Sequence, residues 1–141
     1  MVQNASGTKM FRCLYAENDG ELQELLGEGK RSCAVFVSSV LYLFDLIDSQ
    51  KATVVGLERG LIESGWCETI APQPGEIIFW EPQQQNGGVN AHAGFYLGKN
   101  LAISNDWRSG IPIIHHMTYG ITKEGSPVRK ITAIYTHQFL K

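Results

Sequence analysis

At residues 71–76, "APQPGE", the spacing of apolar residues changes, and that change limits the chain to few architectures. Upstream the spacing is helical. "CAVFVSSVLYLFDLIDS" carries Cys33, Val37, Val40, Phe44 and Ile47 at steps of three and four, which predicts one shared helix face. "TVVGLERGLIESGW" reads as a second helix with Leu57, Leu61 and Ile62 as its apolar side, and "GELQELLGEG", residues 20–29, as a short helix stopped by glycine. Downstream, "EIIFWEP", "HAGFYLG", "LAISND", "IPIIHHMTY" and "RKITAIYTHQF" are short segments rich in β-branched and aromatic residues, separated by Gly, Asn and Pro. Helices followed by strands predict an α+β fold, with the N-terminal helices packed on one face of a mostly antiparallel sheet.

A chain of 141 residues, without internal repeats or a Pro- or Ser-rich linker, is expected to form a single domain over residues 1–141. Its 43% apolar and 18% charged residues suit a globular protein and exclude a disordered one. A net charge of -2 offers no attraction for nucleic acid or anionic lipid, so neither is expected as a partner. Asp45, Asp48 and Ser49 cut the longest apolar run short of a membrane span. "MVQNASGTKMFRC" lacks the basic start and apolar core of a secretory signal, which predicts a cytoplasmic location unless another route exports the chain.

Three cysteines, Cys13, Cys33 and Cys67, cannot all pair, and none lies in a C-x-x-C arrangement, so at least one thiol is free. The thiolate is the nucleophilic form, and a helix N-terminus favours it through its dipole and unpaired N–H groups. Cys33 holds that position, with Lys30 and Arg31 just upstream; Cys67 follows a helix end, and no helix start follows Cys13. Of the three, Cys33 alone has a local reason to ionise, against the competing reading of a buried cysteine on a core helix.

A cysteine nucleophile needs a base, normally histidine. His92 opens "AHAGFYLG" after the Gly/Asn-rich loop "QQQNGGVN", at the expected start of a strand, where it is either a base facing a cleft or a solvent-facing edge residue. His115 and His116 are adjacent and must point to opposite faces of a strand, so at most one can join a site. His137 reads as a surface residue. Without C-x-x-C, H-x-x-x-H or a tight Cys/His cluster, neither zinc nor another cofactor is expected.

"SCAVFVSSVL", "PQPGEIIFW" and "AHAGFYLG", in that order, resemble the NlpC-type cysteine peptidases and the related CHAP amidases of the papain-like superfamily. The similarity spans residues 32–106. It implies Cys33 as nucleophile and His92 as base. The family's third, orienting residue lies on the next strand, here "LAISND", where many NlpC-type members carry histidine at about the place of Ser104 and CHAP members Glu or Asn. Asn105 is the expected partner, since an amide oxygen can accept from an imidazole N–H, and Asp106 is the alternative. Alternation puts those two on opposite faces. The resemblance further implies an oxyanion hole from the Cys33 N–H, with Tyr15 the one upstream tyrosine available to assist. Trp80 and Trp107 are read as cleft lining or core. Ser32, Ala34-Val35 and Glu76 depart from the family's Asp, Ser-Gly and Asp, as expected of a divergent branch.

The function expected from this resemblance is a cysteine amidase or endopeptidase acting on peptide-like amide bonds, with muropeptides of peptidoglycan as the foreseen substrate. Phage lysis or a secretion system would deliver it. The competing classes are a non-catalytic papain-like binding module, an intracellular amide or ester hydrolase, and an assembly protein with an incidental thiol.

Overall fold

A computed structural model describes residues 1–85 and 87–140. After a 3-10 turn, Val2–Ala5, the first regular element is a hairpin: β1 (Tyr15–Asn18) pairs antiparallel with β2 (Glu21–Glu24). The short helix expected over residues 20–29 is therefore not formed. Asp19 and Gly20 both have positive φ (51° and 81°), the geometry of a two-residue primed turn, which Asp-Gly favours. That local signal outweighs the i, i+4 spacing of the leucines. Glu24 then turns the chain, its carboxylate accepting from the N–H groups of Leu14 (3.1 Å) and Leu26 (2.7 Å).

Helix α1 (Cys33–Leu43) is shorter than its sequence pattern suggests. Residues 34–41 are all buried, so this is a central helix, and Val37 and Val40 belong to its core as expected. Phe44 does not; it lies beyond the last turn and is 55% exposed, while Asp45, at φ 57°, reverses the chain. Ile47 is buried from outside the helix. A buried serine is accommodated inside α1 because the Ser38 hydroxyl donates to the Ala34 carbonyl (2.7 Å) and accepts from the Lys51 N–H (2.8 Å). Helix α2 (Val54–Glu63) starts where the Thr53 hydroxyl accepts the Gly56 N–H. Leu57 and Leu61 face inward as expected, whereas Ile62 is exposed.

The remaining strands form one six-stranded sheet in the order β3-β8-β4-β5-β6-β7, with every pair antiparallel among the described residues: β3 (Cys67–Glu68), β4 (Ile77–Gln85), β5 (Gly88–Gly98), β6 (Leu101–Asp106), β7 (Ile111–His116) and β8 (Ile131–Thr136). The expected α+β class with a mostly antiparallel sheet is thus observed. "QQQNGGVN" is not a loop but the tip of the β4–β5 hairpin, paired through Gln83↔Asn90 to Gln85↔Gly88; of that stretch, Asn86 lies outside the described residues. His92 accordingly sits within β5 and not at its start. Helix α1 packs on one face of the sheet, over Ile77, Phe79, Ala93, Phe95 and Ile103. The opposite face holds a second apolar cluster of Ile78, Trp80, Tyr96, Ala102 and Ile134. No helix among the described residues is long and apolar enough to cross a membrane.

Candidate active site

Cys33 is the first residue of α1 and is half-buried, while Cys13 and Cys67 are exposed. Cys33 and His92 line one cavity of about 270 Å³, together with Asn105 and Trp107. They reach it from different sides. Ala93 faces α1, so alternation turns His92 to the other face, where its ring packs 5.5 Å from that of Trp80. The structure therefore brings thiol and imidazole to a common space, with no hydrogen bond between them among the described residues.

The far side of His92 is fixed by a compact polar cluster. Ser104 lies diagonally across from it, since Gly94↔Ser104 are paired, and His92 Nε2 is 2.9 Å from the Ser104 hydroxyl. The same hydroxyl meets His115 Nε2 at 2.8 Å and the Tyr119 hydroxyl at 2.9 Å. Hydrogen-bond counting assigns the protons. His115 Nδ1 lies 2.7 Å from the His116 carbonyl, which can only accept, so Nδ1 carries the hydrogen and Nε2 is the acceptor. The single Ser104 hydrogen goes to His115. Ser104 then accepts from Tyr119 and from His92 Nε2–H, which leaves Nδ1 of His92 as a bare acceptor. Burial lowers the pKa of both imidazoles, His92 to about 3 with Arg129 and His115 adding to the effect, so both are neutral at pH 7. Burial likewise pushes the Tyr119 hydroxyl up to about 12, keeping it a donor.

Backbone geometry makes room for this cluster. A Cβ at Gly94 would meet the Ile103 carbonyl oxygen at 2.5 Å and Ser104 Cβ at 2.7 Å, so only glycine lets β5 and β6 approach at the Ser104 position. Tyr119 has φ 60°, a left-handed conformation that costs a bulky residue about 1 kcal/mol or more. Its neighbours hold it there: the Trp80 indole donates to the Met117 carbonyl (2.7 Å) and the Arg129 N–H to the Thr118 carbonyl (2.9 Å).

Four residues stand otherwise than the sequence suggests. Asn105 makes no hydrogen bond to His92: its Nδ2 donates to the Gly29 carbonyl at 2.6 Å, and its buried Oδ1 has no partner among the described residues. It alternates with Ser104 and so lies on the α1 face, tying β6 to the loop that leads into Cys33. Asp106 is likewise engaged elsewhere, accepting from the Ser109 N–H and hydroxyl. Tyr15 is 61% exposed on β1 and lines neither this cavity nor its neighbour. Finally, the Cys33 thiol is pushed up, not down. Burial outweighs the Ala93 and Ala34 N–H groups and the Arg129 guanidinium, all of which favour the thiolate.

Trp80 is buried beneath His92 and belongs to the core, whereas half-buried Trp107 lines the cavity. Sequence reasoning missed Tyr119 and Arg129. Both lie at the ends of expected strand segments, Tyr119 closing "IPIIHHMTY" and Arg129 opening "RKITAIYTHQF", and neither position carries a local signal of burial. Alternation restricted the His115–His116 pair to one contributor, and the structure selects His115. Among the described residues no group of three or more His, Cys, Asp or Glu side chains could hold a metal ion. No protein-family model matches this chain, and no curated protein sequence matches it either.

Proposed function

We propose that this chain is a cysteine amidase or endopeptidase with a papain-like architecture, cutting amide bonds in peptide-like substrates such as muropeptides. One observation carries the reading: a cysteine at a helix start and a neutral histidine share a cavity, and the histidine's other nitrogen is held so that Nδ1 is free to accept. Nδ1 of His92 takes the Cys33 proton as the sulfur bonds to the substrate carbonyl carbon, whose oxygen becomes an oxyanion near the N-terminus of α1. The C–N bond then breaks and the leaving amine receives that proton. Water, deprotonated by His92, adds to the thioester carbon; the C–S bond breaks, the acid is released and the proton passes from His92 to the Cys33 sulfur. Because burial disfavours both thiolate and imidazolium at rest, proton transfer accompanies attack and does not precede it. Mass spectrometry of purified peptidoglycan fragments tests the reading. New amide-derived termini with the native protein and none with Cys33→Ala are expected; full activity in Cys33→Ala would overturn the assignment.

A non-catalytic binding module is the second reading, favoured by the missing Cys33–His92 hydrogen bond and the raised thiol. It predicts no cleavage of any fragment by the native protein, with iodoacetamide reacting no faster at Cys33 than at a free thiol.

A further inference from the structure

A second cavity, of about 360 Å³, adjoins the first and shares His92, Asn105 and Trp107 with it. Arg129 lines it and is only 2% exposed. Among the described residues the ion pairs are Arg12–Glu28 and Lys51–Asp48, so the buried guanidinium has no carboxylate partner. It is held instead by two backbone carbonyls of the β4–β5 hairpin: Nε donates to Glu81 O (2.9 Å) and Nη2 to Asn90 O (3.0 Å). Those bonds and Tyr119, whose ring lies 5.9 Å from the guanidinium carbon, orient the fork without neutralising it and leave further N–H donors for other partners. A guanidinium removed from water without a paired carboxylate is costly, and a bound carboxylate would offset that cost.

The acids nearby form no ion pair with it. Asp106, the one acid lining this cavity, is bonded to Ser109, and the Glu81 carboxylate accepts from the Lys130 N–H. Gln83, Gln85 and Arg108 complete a polar wall, with the Arg108 guanidinium lying over the Trp107 ring at 5.3 Å. The volume suits an amino-acid-sized group.

We infer that this second cavity is a carboxylate subsite, in which Arg129 binds a free carboxylate on the peptide segment adjoining the amide presented to Cys33. The inference rests on the proposed hydrolase reading for the placement of the scissile bond, and it narrows the substrate to acidic peptides. A carboxylate fits the planar fork in two parallel bonds, and a carboxamide in the same place forfeits both the charge and one acceptor.

The test uses the Cys33→Ala protein, so that binding is read without turnover. N-acetyl-alanyl-alanine and its C-terminal amide are titrated by NMR at low salt. The free acid should bind at least about tenfold more tightly than the amide, and Arg129→Gln in the same background should bring the two together. Arg129→Lys, which keeps charge and loses the fork, should weaken the acid several-fold and serves where the Gln variant fails to fold. Equal affinities, a preference that survives Arg129→Gln, an acid affinity unchanged in Arg129→Lys, or no saturable binding of the acid by about 20 mM overturns the subsite. If the native protein cuts no amide while the acid preference holds in Cys33→Ala, only the hydrolase reading falls; cleavage without acid preference removes only the subsite.

Discussion

The two faces of the six-stranded sheet are made from the same strands and differ by one step of register. Toward α1, Ile77, Phe79, Ala93, Phe95 and Ile103 form an apolar surface that meets Phe36 and Val37, with polar Asn105 beyond them on the same face. On the opposite face the alternate positions begin as apolar, with Ile78, Tyr96 and Ala102, and then give way to His92, Ser104 and His115. Among the described residues no helix covers that second face; the chain over residues 117–129 does, through Tyr119 and Arg129. One face is specified by volume and the other by hydrogen-bond geometry. Damage to the first should therefore appear as lost stability, and damage to the second as lost proton control.

The largest effect should come from Phe36→Ala, which empties the fully buried meeting point of Phe11 and Phe95. A loss of about 3–5 kcal/mol in urea unfolding is expected. A loss below about 1 kcal/mol would mean that the α1 face is not the main source of stability.

The buried titrating groups should bound the stable range from both sides. His92 has its folded pKa lowered from 6.5 to about 3, so the unfolded chain binds the extra proton and stability falls as pH drops from 6.5 toward 3. This loss is on the order of a few kcal/mol. Cys33 has its folded pKa raised, so the unfolded chain loses its proton first and stability falls again as pH climbs above the free-thiol value of about 8.5. Thermal unfolding across pH checks both limbs. His92→Gln should flatten the acid limb and Cys33→Ala the alkaline one; unchanged limbs would show that other groups set them.

Ser104→Ala and Asn105→Ala separate the faces most finely. Removing the Ser104 hydroxyl frees the His92 tautomer and should lower kcat about 10–100-fold with KM nearly unchanged, at a cost of about 1–3 kcal/mol in stability for the buried partners it leaves unsatisfied. Asn105→Ala cuts the tie to Gly29 and should act on the seating of α1, lowering Tm and disturbing the tautomer less. Reversed outcomes would restore Asn105 as the orienting residue.

Much of this organisation could be read from residue order. The change from helical to strand spacing at "APQPGE" is a local property, and local spacing is enough to choose between periods of 3.6 and 2. The positions of Cys33 at a helix start and His92 on a strand followed from the same patterns. Where a pattern was short, competing local chemistry decided: Asp19-Gly20 made a hairpin of "GELQELL", and Asp45 ended α1 before Phe44 could join it. The proton acceptor beyond His92 was not decided locally at all. Ser104 and Asn105 are neighbours in sequence, and only the β5–β6 register determines which of them meets the imidazole. Arg129 is further from any local rule, because its burial depends on a hairpin some forty residues away that offers it two carbonyls. By itself the sequence determined the α+β class, the thiol at the head of α1 and a histidine on a strand of the sheet. The tertiary structure decided the tautomer, the neutral resting state of the pair and the unpaired cation beside it. Those depend on burial and on contacts between strands, which the order of residues along the chain does not contain.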